Sequence, residues 1–189
     1  GIHTAAQDST PMIVFVGQVG GEFLDREAFQ EIDYRRMYGS VAKWAAQIDR
    51  AERIPEYVAR AFRVAMSARP GPVVLALPED MLRDLVEAPS AKPYMPVETH
   101  PGAHQIAALG GLLSQAKRPL AILGGTRWTE EAVATFTAFA ERWNLPVAVS
   151  FRRQMLFDNL HPNYAGDVGI GINPALAADI KQADLLLLI

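Results

Sequence analysis

Cysteine is absent from this sequence of 189 residues, and basic and long apolar segments are missing as well. Without cysteine the chain has neither a disulfide scaffold nor a thiolate site, and we expect a reducing, cytoplasmic location. The formal net charge is −3 with no basic run, which argues against nucleic acid as a partner. No apolar stretch approaches the roughly 20 residues that span a bilayer, so we expect no membrane partner.

Signatures of metal and hydrolase sites are also lacking. The sequence contains neither a G-x-S-x-G elbow nor a P-loop. Glu79 and Asp80 are adjacent, so their carboxylates point in different directions, and we interpret the pair as a solvated cap. The histidines show no metal-ligand spacing, and we predict no metal site from them: they are His3, His100, His104 and His161.

The sequence ends with QADLLLLI, in which positions 185–189 are five consecutive large aliphatic residues. Burying each is worth about 1.5–3 kcal/mol, which predicts an interior strand. Interior strands are normally followed by a polar loop, because chain termini usually lie at the surface. The chain also begins at Gly1 without a methionine or signal peptide. We therefore expect it to be a piece of a longer polypeptide.

Apolar runs that alternate with helical periodicity dominate the remainder. MIVFVG (12–17) is interpreted as a buried strand and VVLAL (73–77) as a strand covered on both faces. Strands alternating with helices predict an α/β fold with parallel sheets covered on both sides. The further strands are predicted at 120–123, 147–149 and 184–189, and the helices from Ile54 and near 103–116, 129–143 and 174–182.

Residues 88–102 contain four prolines and no periodicity. Such a segment is typical of a semi-rigid linker and marks a domain boundary. We therefore predict two α/β units, at 1–87 and 103–189, joined by this linker.

Two glycine-containing segments are candidate ligand loops. In LGGTRWTEE (123–131), glycines after a strand would let a ligand approach the backbone, and the next helix would offer N–H groups to a phosphate. Alternatively, the glycines only form the turn and Thr129 is an N-cap. In GDVGIGINPALAADI (166–180), Asn173 and Pro174 predict a helix start. The preceding glycines form either a second wall of a nucleotide crevice or a lead-in loop.

A charged stretch, DREAFQEIDYRRM (25–37), lacks a clean helical face. Phe29 and Gln30 lie inside it, and an aromatic ring beside an amide could form the floor of a pocket. The alternative is a surface helix with salt bridges. The residues themselves favour the helix.

Four stretches together resemble the acetolactate-synthase-like branch of thiamine-diphosphate enzymes. The resemblance covers nearly the whole chain in the family's order, and the pattern S-x-RPGPVxLxLPxD is specific for it. The stretches are AAQDSTPMIVFVGQV (5–19), AFQEIDYRRMYGSVAKW (28–44), RIPEYVARAFRVAMSARPGPVVLALPEDML (53–82) and ADLLLLI (183–189).

The resemblance implies a placement within the family's three α/β domains. Residues 1–87 correspond to the C-terminal half of the pyrimidine-binding domain, and 103–189 to the start of the central, Rossmann-like domain. The family's essential glutamate then precedes Gly1, and its magnesium-diphosphate motif follows Ile189. We therefore expect no catalytic or metal-binding residue in this chain, and no activity from it alone.

Matching positions imply further site residues. In the family, Phe29 and Gln30 line the cavity towards the cofactor of the neighbouring subunit. Other positions match contacts of a flavin or another dinucleotide, so FAD or ADP is an expected ligand of the central domain. They are Arg69, Gly124, Gly125, Thr126, Ser150 and Gly169.

The implied function is decarboxylation of a 2-oxo acid with thiamine diphosphate and Mg²⁺, followed by transfer of the carbanion equivalent to an acceptor, in a homodimer or tetramer. The sequence departs from the family's pattern at two places. Glu79 stands where synthases of the amino-acid pathway often carry the lysine of LPKD, which bears on the substrate. Gly169-Ile170-Gly171 stands where they have Gly-Met-His-Gly, which bears on FAD. The alternatives are a decarboxylase or C–C lyase for another acid, a non-catalytic nucleotide-binding module, and a purely structural fragment.

Overall fold

The computed structural model describes all residues from 1 to 189 and divides them into two compact units, Gly1–Glu98 and Thr99–Ile189. Each unit contains one parallel sheet with helices, which confirms the predicted α/β class. No helix is both long enough and apolar enough to cross a membrane. Residues 84–102 contain neither helix nor strand.

The elements of both units follow in chain order. The first unit contains α1 (Ile2–Gln7), β1 (Met12–Gln18), α2 (Tyr34–Tyr38), β2 (Trp44–Gln47), α3 (Ile54–Met66) and β3 (Pro72–Pro78). The second contains α4 (Ala103–Gln115), β4 (Pro119–Leu123), α5 (Glu130–Trp143), β5 (Val147–Ser150), β6 (Tyr164–Val168), α6 (Pro174–Gln182) and β7 (Leu185–Leu188).

The first sheet has the strand order β1-β3-β2, so β3 is central. Its continuous apolar run is buried on both faces, as the sequence predicted. Val73 and Leu75 share a core cluster with Ala61 and Ala65 of α3. The two small alanines are the buried residues of α3, and small side chains allow a helix to lie close to a sheet.

The second sheet has the order β6-β5-β4-β7 and helices on both faces. On one face, Leu123 and Val149 pack with Phe136 of α5. On the other, Leu120 and Ala148 pack with Leu176 of α6. This alternation follows from the period of two in a strand. It accounts for the predicted two-sided covering of β4 and β5.

Three of the strand predictions need correction. The run 185–189 is not an interior strand: β7 lies at the edge of its sheet, and Leu188 is 70% exposed. The predicted buried strand β1 is likewise an edge strand and only partly buried. The second sheet has four strands rather than the predicted three, because β6 was not recognised. The sequence of β6, YAGDV, contains Gly166 and Asp167, residue types that are depleted in strands.

A carboxylate at the amino end of the second sheet gives a pH prediction. Asp184 accepts hydrogen bonds from the backbone N–H groups of Lys117 (2.8 Å) and Arg118 (2.9 Å). Both bonds lower the pKa of Asp184, and the bond from Lys117 has the larger effect. The stabilisation is therefore full above the unfolded-state pKa, about 3.9, and is lost as pH falls through the lower folded-state pKa.

Asp184→Asn should lower the free energy of unfolding at pH 6–7. Each oxygen of the carboxylate accepts one N–H group, and the NH₂ that replaces one oxygen in asparagine cannot accept a hydrogen bond. The difference from the wild type should shrink as pH falls below about 4. Urea unfolding at several pH values measures it. Asp179→Asn is the control, because it removes an equal charge and only an exposed ion pair with the Arg118 side chain (3.7 Å), and leaves both backbone N–H bonds in place. A difference independent of pH would contradict the assignment.

Candidate functional site

The carboxyl ends of the first sheet surround a cavity of about 500 Å³. Parallel strands all present their carboxyl ends at one edge, which is where α/β folds bind ligands. β1 contributes its last residues to this cavity, and the residue after β3, Glu79, also lines it. The lining residues are Gly17, Gln18, Val19, Phe29, Gln30, Ile32, Tyr34 and Glu79.

Phe29 and Gln30, singled out in the sequence, thus lie together at this edge. The surface-helix interpretation of their segment is wrong for residues 25–33, since a helix begins only at Tyr34. Gln30 has a left-handed backbone with φ of 69°, which breaks helical continuity. The Phe29 side chain is 88% exposed, an unusual position for a large aromatic residue.

Two carboxylates fix the segment that carries this pair. Asp80 accepts a hydrogen bond from Gly21 N–H (2.9 Å), and its second oxygen accepts from Met81 N–H (2.9 Å). The predicted cap is therefore confirmed for Asp80, which in addition ties two distant segments together. Glu31 accepts from Asp25 N–H (2.6 Å) and Ala28 N–H (3.0 Å), and these bonds lower the pKa of Glu31.

The charge around the cavity is mainly acidic. Glu79 is the one charged side chain that lines it, and Glu79 forms an ion pair with exposed Arg83. A neighbouring cavity of about 320 Å³ shares Gln18 and Ile32 with the first. The charged side chains that line this second cavity are Asp25, Glu31, Asp33 and Arg35.

Arg69 lies elsewhere in the first unit. It precedes β3, at the opposite end of the strand from Glu79. Its guanidinium donates to the Ser9 hydroxyl (2.7 Å) and to the carbonyl oxygens of Ala6 (3.3 Å) and Gln7 (2.9 Å). These contacts satisfy carbonyl groups at the end of α1. The structure therefore does not bring Arg69 together with Phe29 and Gln30.

The second unit has its own ligand edge. From β4 the chain winds through β5 to β6 on one side and then crosses to β7 on the other, which makes β4 and β7 the switch point of the sheet. Ligands of such sheets bind outside the carboxyl ends at this point. Gly124, Gly125 and Thr126 follow β4 there, and Gly125 has φ of 65°.

Ser150 lies beside this glycine turn. A Cβ atom on Gly124 would be 3.0 Å from Ser150 Oγ, so a side chain here would require the Ser150 hydroxyl to shift by a few tenths of an ångström. Arg153 donates from Nε to the carbonyl of Gly125 (2.7 Å), and Trp128 donates to that of Gly124 (2.7 Å). The structure thus brings Ser150 and the predicted glycine loop together.

The helix that follows the glycine loop does not fit a phosphate at its start. Thr129 is the N-cap of α5 and accepts from Ala132 N–H (3.1 Å). Glu130 and Glu131 occupy the first turn, where they already complement the positive end of the helix dipole and would repel an anion. The predicted helix start at Asn173 and Pro174 is confirmed, with Asn173 accepting from Ala175 N–H (2.9 Å).

Gly169 follows β6 at the same edge. A Cβ on Gly169 would lie 2.5 Å from Asp167 Oδ1, so a side chain here would require the Asp167 carboxylate to move. That oxygen is buried without a hydrogen-bond partner, while Oδ2 accepts from Gln154. Burial, and then the Asp167 charge, raise the pKa of Tyr164. No group of three or more His, Asp or Glu side chains in residues 1–189 could hold a metal ion.

Gln18 and Asp80 were not recognised as site residues from the sequence. The sequence does contain one signal for Gln18, since it is a polar residue at the end of the apolar run MIVFVGQ (12–18). The contact from Asp80 to Gly21 spans 59 positions, and no local pattern encodes it.

Comparisons with known proteins show similarity to thiamine pyrophosphate enzymes. Residues 106–189 match the model of the thiamine pyrophosphate enzyme central domain. The chain is 33% identical, over its full length, to the acetolactate synthase large subunit of Corynebacterium glutamicum, covering 31% of that protein. It is 32% identical over 99% of its length to the acetolactate synthase large subunit of Haemophilus influenzae, covering 34% of that protein.

Among solved structures, benzoylformate decarboxylase from Polynucleobacter necessarius superposes with a TM-score of 0.85 at 30% identity. The match covers all of this chain and 36% of that one. The chain therefore spans about a third of the length of the curated relatives it matches. Residues 106–189 are similar to the central domain of thiamine pyrophosphate enzymes, and the whole chain is similar to acetolactate synthase large subunits.

Proposed function

We propose that the whole protein decarboxylates a 2-oxo acid with thiamine diphosphate and Mg²⁺ and joins the remaining fragment to an acceptor carbonyl. The observation that carries this proposal is the cavity of about 500 Å³ lined by Phe29 and Gln30 at the carboxyl edge of the first sheet. The names of the relatives, acetolactate synthase and benzoylformate decarboxylase, support the substrate class.

The chain's own contribution would be binding and exclusion of water. Phe29 would cover the apolar part of the substrate, and the Gln30 amide could donate to a carboxylate or carbonyl oxygen. The cofactor, when bound, stabilises the negative charge that remains after CO₂ leaves. We assign no magnesium ligand to this chain. We propose that residues 1–87 form part of the pyrimidine-binding domain, 88–102 the linker, and 103–189 part of the central domain.

Release of CO₂ by the whole protein tests this function. With thiamine diphosphate and Mg²⁺, we expect release from pyruvate and formation of acetolactate, and no release without the cofactor. Absence of CO₂ from both pyruvate and benzoylformate would contradict the proposal.

A simple decarboxylase is the alternative that the structural similarity favours. Its product would be the free aldehyde, with no carboligated product from pyruvate or from benzoylformate. Chromatography of the products therefore distinguishes the two reactions on one sample.

The charge of Glu79 leads to a prediction on substrate affinity. A carboxylate beside the cavity repels an anionic 2-oxo acid, and its removal also frees Arg83. Exposed charge pairs are worth about 0.2–1 kcal/mol, so Glu79→Gln should lower KM by roughly 1.5- to fivefold. Glu87→Gln, an exposed residue outside the cavity, is the control. An unchanged or higher KM would show that Glu79 does not face the substrate.

We also propose that the carboxyl edge of the second sheet binds a nucleotide, FAD or ADP. Support comes from the switch point at β4 and β7 and from the backbone turn at Gly124 and Gly125. Because the α5 start disfavours a phosphate, the diphosphate would contact the glycine turn and not that helix. Calorimetric titration with each nucleotide tests this, and the absence of heat with both would refute it.

Self-association is a further proposal, as a homodimer or homotetramer. In the family that the sequence resembles, the positions of Phe29 and Gln30 line a cavity towards the cofactor of a neighbouring subunit, which supports association between copies of the chain. Light scattering of the whole protein measures the mass, and a monomer would contradict it.

A further inference from the structure

Gln18 is the one polar side chain that is buried in this chain, at 7% exposure. It is the last residue of β1, at the edge that carries the cavity. Its Nε2 donates to the carbonyl of Ile32 (2.7 Å), and its Oε1 accepts from Val19 N–H (3.0 Å). Both halves of the amide therefore have a partner. A buried polar side chain whose donor and acceptor are both hydrogen-bonded restricts the position of the backbone segments that it bonds.

The two partners close the segment 19–33, here called the 19–33 loop. Apart from the short turn Gly21–Phe23, the loop has no regular structure. Three of its residues adopt the left-handed backbone region, which is costly for side chains other than glycine and persists only where the surroundings enforce it. These residues are Asp25, Glu27 and Gln30.

Hydrogen bonds hold this conformation at three places, two of them from outside the loop and one within it. Gln18 holds the end of the loop at Ile32, and Asp80 holds its start at Gly21. Glu31 ties the middle together through Asp25 and Ala28. Of the three, Gln18 alone is buried and lines both cavities.

We propose that Gln18 is a positioning residue that fixes the 19–33 loop so that Phe29 and Gln30 face the cavity. The substrate role of that pair rests on the proposed function, while the bracing of the loop does not. In the competing interpretation, Gln18 only satisfies buried backbone groups and stabilises the whole first unit equally.

The variants Gln18→Glu and Gln18→Met separate these interpretations in the protein as it exists. The ionised carboxylate can accept from Val19 but cannot donate to Ile32. Burial raises the pKa of a carboxyl group, and its protonated form regains a donor. Methionine has neither the donor nor a strong acceptor at any pH. The bracing in Gln18→Glu should therefore return as the pH is lowered.

Hydrogen exchange gives the readout. At pH 8, protection of the backbone amides of residues 25–32 should fall by about tenfold in both variants, the effect of one lost hydrogen bond. At pH 5 it should recover in Gln18→Glu and not in Gln18→Met. The wild type measured at each pH corrects for the titratable and charged groups around Gln18, which are Asp25, Glu31, Asp33, Tyr34, Arg35 and Glu79.

Amides of β3 are the internal reference. Loss at the loop with unchanged protection of β3 supports the proposal. Equal loss at both places in both variants overturns it, because Gln18 would then stabilise the unit as a whole. Unchanged loop protection overturns it as well.

Activity of the whole protein separates failure of the inference from failure of the function. If the wild type releases no CO₂, the proposed function fails, and hydrogen exchange still decides on the bracing. If the wild type is active, Gln18→Glu should show a lower kcat/KM at pH 8 that rises relative to the wild type at low pH. An active variant with wild-type kcat/KM at pH 8 overturns the positioning role.

Discussion

Leu75→Ala should destabilise the first unit by about 2–5 kcal/mol. Leu75 is completely buried in the central strand β3, paired with Phe15 of β1 and Ala46 of β2. Truncation removes apolar contacts and leaves a cavity in a cluster that includes Ala61 and Ala65. Since domains are stable by only about 5–15 kcal/mol, this is a large fraction of the total.

Urea unfolding followed by tryptophan fluorescence measures this loss. Trp44 is the single tryptophan of the first unit, so a background with Trp128→Phe and Trp143→Phe makes the signal specific for it. Leu85→Ala is the matched control, because Leu85 is fully exposed and should tolerate the change within about 0.5 kcal/mol. A loss below about 1 kcal/mol for Leu75→Ala would contradict the described packing of β3.

Phe29→Ala should have the opposite profile, with a large effect on activity and almost none on stability. The side chain is 88% exposed, so its removal should change the free energy of unfolding by less than about 0.5 kcal/mol. If Phe29 covers the substrate, burial of the ring is worth about 1.5–3 kcal/mol in the complex. The kcat/KM of the whole protein should then fall roughly ten- to hundredfold.

Phe23→Ala is the control for that measurement. Phe23 is an exposed aromatic residue of the same 19–33 loop but does not line the cavity. Its truncation should leave kcat/KM unchanged within about twofold. Equal effects of both substitutions would mean that the loop acts through its general stability and that Phe29 has no specific contact.

The position of a strand in its sheet was the feature least accessible from the sequence. The apolar runs of β3 and β7 look alike, yet β3 is central and β7 is an edge strand. An apolar run shows that a strand has two hydrophobic faces. It does not show how many strands pair with it, because that depends on the packing of the whole sheet. β6 was not predicted because Gly166 and Asp167 are residue types depleted in strands; in the structure Gly166 has φ of 125° and lies where the register of β6 against β5 shifts.

The candidate site was predictable only in part for a related reason. Phe29 and Gln30 could be named because they occur in a motif that resembles a known family. The groups that brace them are dispersed: Gln18 acts on Ile32 over 14 positions, and Asp80 acts on Gly21 over 59. The contact of Asp80 with Gly21 arises from the parallel pairing of β1 with β3, which brings the ends of both strands to one edge.

Hydrogen exchange of the whole protein, with and without a 2-oxo acid, tests most directly whether the 19–33 loop forms a wall of the substrate site. With thiamine diphosphate and Mg²⁺ present, saturating substrate should slow exchange of the amides of residues 28–32 and leave the surface residues 84–88 unchanged. Slower exchange confined to the loop is the predicted result. Turnover of the 2-oxo acid without any change in the exchange of residues 28–32 would contradict it.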